Sequence, residues 1–475
     1  MVPRGFLVGE RRVVRIALGL PGLGLRGVPR QRSLTCLRPT ALAILAGLTP
    51  PDIEVKAFDD RFEEPPYDEP WDLVALSVGT FQARRAYEIS HAFRKRGARV
   101  VLGGFHPSQC PDEAARYADC VAVGEAEVLW PRIVDDLRGG KLQRVYRHDE
   151  PADLALCRPD SHVLDHKGYA PVNVIQFARG CRHRCDFCSV HAFYPKEPRN
   201  RPLRDVVEEL ESAPDRWTFF ADDNLAARPE LARDLLREIA PLGKRWVAQT
   251  SLDFVDDPEL LRLMARSGCQ CVIVGLESLN ESNIRQMGKG WTRAEDYVTR
   301  IEKVRDQGIM IYATFVFGYD GDTPDVFERT YEFALKQKFF LVNFNHLNPF
   351  PGTGLYRRLR AEGRLTYERW WMDPRYRFGD VVFEPNGMSA RQLSEGAFGI
   401  RKRVHRYPAI LRRMLDRRTN LASPSNVLTY LLVNYGSRQD ILTKQGLPLG
   451  LEPRLPEPLD GEAEPPAPLS DEATS

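Results

Sequence analysis

Arg179-Gly180-Cys181-Arg182-His183-Arg184-Cys185-Asp186-Phe187-Cys188 places three cysteines within eight residues, directly after an apolar strand-like run at Val172–Ala178. Thiolates are soft ligands suited to iron–sulfur clusters or zinc. The CxxxCxxC spacing turns three sulfurs toward one metal centre and supplies three ligands rather than four. A structural zinc site is closed by four ligands, so zinc here would need His183 or His191 as well. A cubane held by three protein thiolates instead keeps one iron open for a small molecule. Cys269 and Cys271 form a CxC pair that reads as core strand, and Cys36, Cys110, Cys120 and Cys157 are isolated. An odd total of nine cysteines without an export signal argues against a disulfide framework.

Downstream of the cysteines the strand-then-helix pattern repeats. Strand runs at Trp217–Ala221, Trp246–Thr250, Cys271–Gly275, Ile309–Phe317 and Phe340–His346 alternate with amphipathic stretches at Leu203–Ser212, Glu230–Ile239, Pro258–Arg266, Arg293–Gln307 and Asp325–Gln337. Six βα repeats exceed a mononucleotide fold and fall short of the eight of a closed barrel. A partial, open (β/α)6 barrel over residues 169–348 is expected, with its chemistry where strands run into loops. Those ends carry Asp222, Asp223, Gln249, Ser251, Gly275, Glu277 and Phe317. For Asp223 and the polar residues after Gln249, helix or turn capping is an equally available role.

Upstream, strand runs Val13–Gly19, Ile53–Phe58, Asp72–Val78, Arg99–Gly103 and Cys120–Val123 alternate with helical patterns. Such alternation indicates a parallel sheet covered on both faces, here a doubly wound Rossmann-like domain over residues 1–146. Its ligand is expected at the carboxyl ends of the strands. These offer Ser77, Thr80, Gly103, Gly104, His106, Gly124 and Glu125. Gly22, Gly24 and Gly27, after the first strand, read either as room for a bulky ligand or as a flexible loop. Residues 147–168 are polar, broken by Pro151 and Pro159, and read as a linker. Residues 349–451 read as a mainly helical region. Residues 452–475, rich in Pro, Glu and Ala, read as a disordered tail.

With 43% hydrophobic and 28% charged residues the 475-residue chain reads as globular and multidomain. A net charge of +2 gives no electrostatic case for nucleic acid. No apolar run reaches the roughly 18 residues of a membrane span, and the N-terminal stretch lacks a secretory pattern. A cytoplasmic location is the resulting expectation.

CxxxCxxC with Phe187 before the last cysteine, on the loop after the first barrel strand, resembles the signature of the radical S-adenosylmethionine (SAM) superfamily. The resemblance continues at Phe220-Ala221-Asp222-Asp223-Asn224, Gln249-Thr250-Ser251, Val272–Ser278, Lys289, Phe315–Gly318 and Pro349–Gly352. With Asp72–Ser77, Val101–Pro107 and Gly124–Glu127 in the upstream domain, it is similar to the cobalamin-binding branch of that superfamily. The resemblance covers residues 10 to 450 approximately. It implies that Cys181, Cys185 and Cys188 hold a [4Fe-4S] cluster whose open iron chelates SAM. One electron then releases a 5′-deoxyadenosyl radical. It implies SAM contacts at Asp222, Asp223, Gln249, Ser251, Gly275, Glu277 and Phe317, and corrin contacts at the upstream strand ends, with His106 near the cofactor's tail. The D-x-H-x-x-G motif of methionine-synthase-type cobalamin domains is absent, as in most members of this branch.

The activity so implied is cobalamin-dependent methylation of an unactivated carbon. A non-methylating radical cyclase or rearrangement enzyme and a zinc-stabilised binding protein are the alternatives. The resemblance also implies a small-molecule or natural-product substrate and a reducing partner such as flavodoxin or ferredoxin. Trp370, Trp371, Tyr376 and Phe378 are candidates for pocket walls or for core.

Overall fold

The computed structural model describes residues 13–26, 28, 36–165 and 167–459. Gly27, the first twelve residues and residues 460–475 lie outside them, as does the corresponding part of the expectations above.

The first sheet has six parallel strands in the order β2-β1-β3-β4-β5-β6. They are β1 (Arg15–Leu20), β2 (Glu54–Asp59), β3 (Leu73–Ser77), β4 (Arg99–Gly103), β5 (Cys120–Val123) and β6 (Val145–Arg147). The chain reverses direction across the sheet between β1 and β3, which opens a crevice at their carboxyl ends. Helices α1 (Thr40–Gly47), α2 (Ala83–Arg94), α3 (Phe105–Gln109), α4 (Pro111–Ala115) and α5 (Ala126–Arg138) cover it. Alternation along the strands decides which face each residue serves. Leu73, Ala75, Val101 and Cys120 pack on one side with Leu42 of α1 and Ile133 of α5. Val74, Leu76, Val100, Leu102 and Val121 pack on the other with Tyr87 and Ile89 of α2. The sixth strand, β6, straddles the boundary between the first domain and the stretch read as a linker and is not among the expected strands, because three residues are too few to leave a period.

The second sheet is also all parallel, in the order β14-β13-β12-β11-β10-β7. Its strands are β7 (Val172–Ile175), β10 (Trp217–Phe220), β11 (Arg245–Gln249), β12 (Cys269–Glu277), β13 (Met310–Phe317) and β14 (Leu341–His346). Neighbours follow chain order and the two ends do not pair, so this is the expected open six-stranded barrel. A short antiparallel pair, β8 (Ala178–Arg179) with β9 (Arg199–Asn200), brackets the cysteine loop and α6 (Ser189–Phe193). Outside the sheet lie α7 (Leu203–Ser212), α8 (Pro229–Ile239), α9 (Pro258–Arg266), α10 (Glu281–Gln286), α11 (Tyr297–Asp306) and α12 (Val326–Lys336). Helix α8 shows why: Ala232, Leu235, Leu236 and Ile239 form one buried stripe, and Pro229 sits in its first turn. Helix α9 starts where the Asp257 carboxylate accepts from the Glu259 and Leu260 amides, a cap contributing about 1 kcal/mol.

After the barrel come α13 (Gly354–Ala361), α14 (Ala390–Val404), α15 (Tyr407–Met414) and α16 (Pro424–Lys444). Helix α14 lies along the edge strand β14, where Arg401 Nε donates to the Phe344 carbonyl at 2.8 Å. The stretch before α14 returns to the first sheet: Trp370, Trp371, Tyr376 and Val382 are buried in its second core. The expected tail differs in its described part. The Glu452 amide donates to Glu88, its carbonyl accepts from Arg84, and the Leu459 amide donates to the Arg116 carbonyl. The linker too is pinned, since the Asp160 amide donates to Ala43 and Leu164 enters the first core. Among the described residues no helix is long and apolar enough to cross a membrane.

Candidate active site

The cysteine loop leaves the barrel through Gly180, whose φ of 88° only glycine adopts at little cost. Two carboxylates from the end of β10 hold the way in. Asp222 Oδ1 accepts from the Phe177 amide and Asp223 Oδ2 from the Gly180 amide, each at 2.8 Å. Asp222 is buried and its Oδ2 has no partner, so burial raises its pKa to about 7. Asp223 is raised by burial as well, against the pull of the Gly180 amide. Farther along, the Asp186 amide donates to Met287, the Leu355 amide donates to Asp186, and Tyr319 Oη donates to Asp186 Oδ1 at 2.5 Å. The loop is therefore fixed from β10, β13, α10 and α13 at once.

A hydrogen-bond donor and an ammonium stand near the sulfurs, while burial works against their thiolate form. Asn224 Nδ2 lies 3.5 Å from Cys181 Sγ and donates to Ser251 Oγ at 3.0 Å, while its Oδ1 accepts from Thr250. Burial pushes the Cys185 thiol up to about 12, with the Lys289 ammonium pulling the other way. Burial also raises Cys188, opposed by the amides of His191 and Val190. Among the described residues no three His, Cys, Asp or Glu side chains converge on the one point a single ion requires. A cubane makes a different demand, three thiolates on three separate irons. His183 is engaged elsewhere, stacked on Trp291 at 3.9 Å and 3.5 Å from Asp253.

The remaining barrel residues divide. Gln249 is exposed at the end of β11, and its Nε2 donates to the Asp223 carbonyl at 3.0 Å. Ser251 bonds Asn224 and Asp253. Glu277 has a φ of 64°, rare for a residue with a Cβ, and its carboxylate meets Lys289 Nζ at 2.8 Å. The Lys289 ammonium also donates to the Gly275 carbonyl. A Cβ on Gly275 would collide with the Glu277 carboxylate, so that glycine makes room for the buried pair. Burial would lower Lys289, but the Glu277 carboxylate together with Cys185 and Cys188 outweighs it, and the ammonium is held above its ordinary value. Phe317 is a correction. Its ring is 1% exposed and packs on Phe327 of α12 and Phe344 of β14, facing the helix layer. Val316, one residue earlier, faces the barrel mouth.

A cavity of about 300 Å³ opens where the two sheets face one another. On the first sheet its wall is Ala75, Ser77, Gly103, Gly104, Ala122 and Gly124, flanked by α1 and α5; on the barrel side it meets Gln176, Arg179, Tyr194 and Asp223. Small residues succeed the large ones of the core on the same strand face, which leaves a slot. Glu125 stands at its mouth, bound to Arg179 at 2.6 Å and Arg199 at 2.9 Å, and Arg179 also reaches Glu127 at 2.8 Å. Arg179, two residues before Cys181, thus ties the slot to the cysteine loop. Thr80 is outside the slot's walls. His106 is a second correction. It is fully buried on the opposite face, 3.2 Å from both Tyr87 Oη and Glu113 and edge-on to Trp371. Gly24 packs on Arg85 and Gly450 rather than on the slot.

Sequence reasoning quoted Arg179 and Asn224 within its motifs without naming them among the site residues, and it did not single out Tyr194; only their partners from distant parts of the chain reveal what they do.

Comparison with known proteins agrees with this geometry. The Radical SAM superfamily model matches residues 175–334. The bacteriochlorophyllide d C-12(1)-methyltransferase of Chlorobaculum tepidum is 30% identical over 398 residues, 80% of this chain and 86% of the relative. The C-8(2)-methyltransferase of the same organism is 31% identical, over 70% of this chain and 78% of the relative. Among solved structures, the radical SAM methyltransferase TsrM from Kitasatospora setae aligns with a TM-score of 0.60 over 74% of this chain and 75% of that one, at 19% identity, a likeness of fold. The chain belongs to the radical SAM superfamily.

Proposed function

We propose that this radical SAM enzyme is a cobalamin-dependent C-methyltransferase. The slot between the sheets carries the reading: a doubly wound domain with its strand ends pared down to alanine, serine and glycine, opening beside the cysteine loop. When bound, the cluster supplies an electron to SAM and the corrin supplies a methyl carrier. The protein's own part is positional. Cys181, Cys185 and Cys188 would hold the cluster, and Asn224 would donate to its first sulfur. Asp223 and Gln249 line the approach, and Asp223 offers a carboxylate to an ammonium group. Ser77, Gly103, Gly104 and Gly124 leave space for the corrin. The related bacteriochlorophyllide d methyltransferases and the cobalamin-bound TsrM structure point the same way. A low-potential donor such as flavodoxin or ferredoxin and a cytoplasmic location complete the proposal.

The test is anaerobic purification with cobalamin supplied, then product analysis of SAM turnover. Co-purified corrin, with S-adenosylhomocysteine formed alongside 5′-deoxyadenosine, is expected. 5′-Deoxyadenosine alone, from protein that retains no corrin, would assign the chain to the non-methylating alternative.

A further inference from the structure

A second cavity, of about 320 Å³, lies on the other side of the cysteine loop. Phe187, between Cys185 and Cys188, forms part of its wall, and so do Val316 of β13 and Phe81 of the first domain. It therefore adjoins the place where the cluster would sit, yet shares no wall residue with the slot. Its lining is of two kinds. Phe81, Phe187, Phe350, Tyr376 and Phe378 make an aromatic side; Asn345, His346, Asn348 and Arg401 make a polar side without any Asp or Glu.

Arg401 is the telling residue. Its Nε is used by the Phe344 carbonyl at 2.8 Å, but no carboxylate among the described residues pairs with its guanidinium. Burial lowers its pKa with no neighbouring charge to offset the effect. Arg401 is half-buried, and its terminal nitrogens donate no hydrogen bond to the described residues, so they are available to an anion in the cavity. Three polar atoms around the cavity are buried and lack a well-formed hydrogen bond: His346 Nε2, Asn348 Oδ1 and Tyr376 Oη, with the His346 ring beside the Asn348 side chain and the Asp380 backbone and Tyr376 beside the Gly379 backbone. Buried polar atoms are nearly always satisfied, so loosely satisfied ones gathered around one cavity leave hydrogen-bonding capacity for a ligand. His346 is held neutral, its pKa lowered to about 4 by burial and by Arg401, so it adds hydrogen bonding rather than charge.

We infer that this cavity binds the substrate, and that the substrate is a conjugated ring system bearing a carboxylate, which docks acid-end first on Arg401 with its ring against the aromatic side. A planar guanidinium with both terminal nitrogens free matches a carboxylate's two oxygens. The cavity is smaller than a whole tetrapyrrole, so it receives the acid-bearing edge and leaves the rest of the ring toward the cysteine loop. This inference rests on the methyltransferase reading for its choice of probe, bacteriochlorophyllide d.

The test compares binding of bacteriochlorophyllide d and of its methyl ester to the full-length protein, followed by fluorescence quenching. The free acid should bind wild type about ten- to a hundredfold more tightly than the ester. Arg401→Gln should abolish that preference, and Arg401→Lys should keep part of it. Equal affinity for acid and ester in wild type, or no saturable binding of the acid, would overturn the inference without needing either variant. Cleavage of SAM by wild type without substrate is scored in parallel. If that cleavage occurs while the acid shows no preference, the carboxylate anchor fails and the radical SAM reading stands. If no cleavage occurs, it is the functional reading that fails.

Discussion

The two sheets of this protein are built alike and finished differently. Both are six-stranded and wholly parallel, and both turn their carboxyl ends toward the same cleft. The first ends in Ala75, Ser77, Gly103, Ala122 and Gly124, which take up little volume; the second ends in Asp222, Asp223, Asn224, Gln249 and Glu277, which hold things by hydrogen bonds and charge. The same architecture thus makes an open slot on one side and a braced loop on the other. Fold alone does not choose between those outcomes. The residues at and just beyond the strand ends do.

The difference can be broken most severely at the braced loop. Replacing Cys181, Cys185 or Cys188 by alanine should reduce iron content to background and abolish 5′-deoxyadenosine formation, checked by iron assay and chromatography. Next in size is the joint between the two sides. Arg179→Met leaves Glu125 and Glu127 with a lost buried partner, which costs about 3–5 kcal/mol when one member of such a pair is removed. A fall in denaturation midpoint should report it, accompanied by a lower corrin content per chain.

Asp222→Asn sharpens the comparison through pH. The wild-type carboxyl has a folded-state pKa raised to about 7, so the folded protein binds more protons than the unfolded chain between about pH 4 and 7. Its contribution is favourable below that window and is lost as pH rises through it. The substituted amide has no such loss and still offers an oxygen to the Phe177 amide. The stability of the variant relative to wild type should therefore climb from pH 4 to 7 and level off above, by about 2–4 kcal/mol. Denaturant titrations across that range check it. The smallest effect is expected in the slot. A Cβ at Gly103 meets only Ala122 at an ordinary 3.5 Å, so Gly103→Leu is compatible with the backbone and places its branches in the slot. Corrin affinity should fall about tenfold, about 1.4 kcal/mol, while iron per chain does not change.

The cysteine loop was legible because its ligands are local, and both sheets because strand and helix periods repeat. Side-chain direction was less so. Phe317 belongs to a strand apolar on both faces, where alternation does not say which side meets ligand, and one residue of phase separates it from Val316. His106 follows two glycines at a strand end, the place where ligands bind, but the Gly104 turn sends its ring to the far side, against Glu113 and Trp371. The second cavity was not legible at all. Phe81, Phe187, Val316, His346, Tyr376 and Arg401 meet only after α14 folds back on β14.

The central claim is that three thiolates hold a cubane with one iron free for SAM. Electron paramagnetic resonance of the anaerobically reconstituted, dithionite-reduced protein tests it most directly, recorded with and without SAM. A [4Fe-4S]⁺ signal whose g values shift when SAM is added is the predicted result. A protein with no such signal, or one whose spectrum is indifferent to SAM, would contradict it.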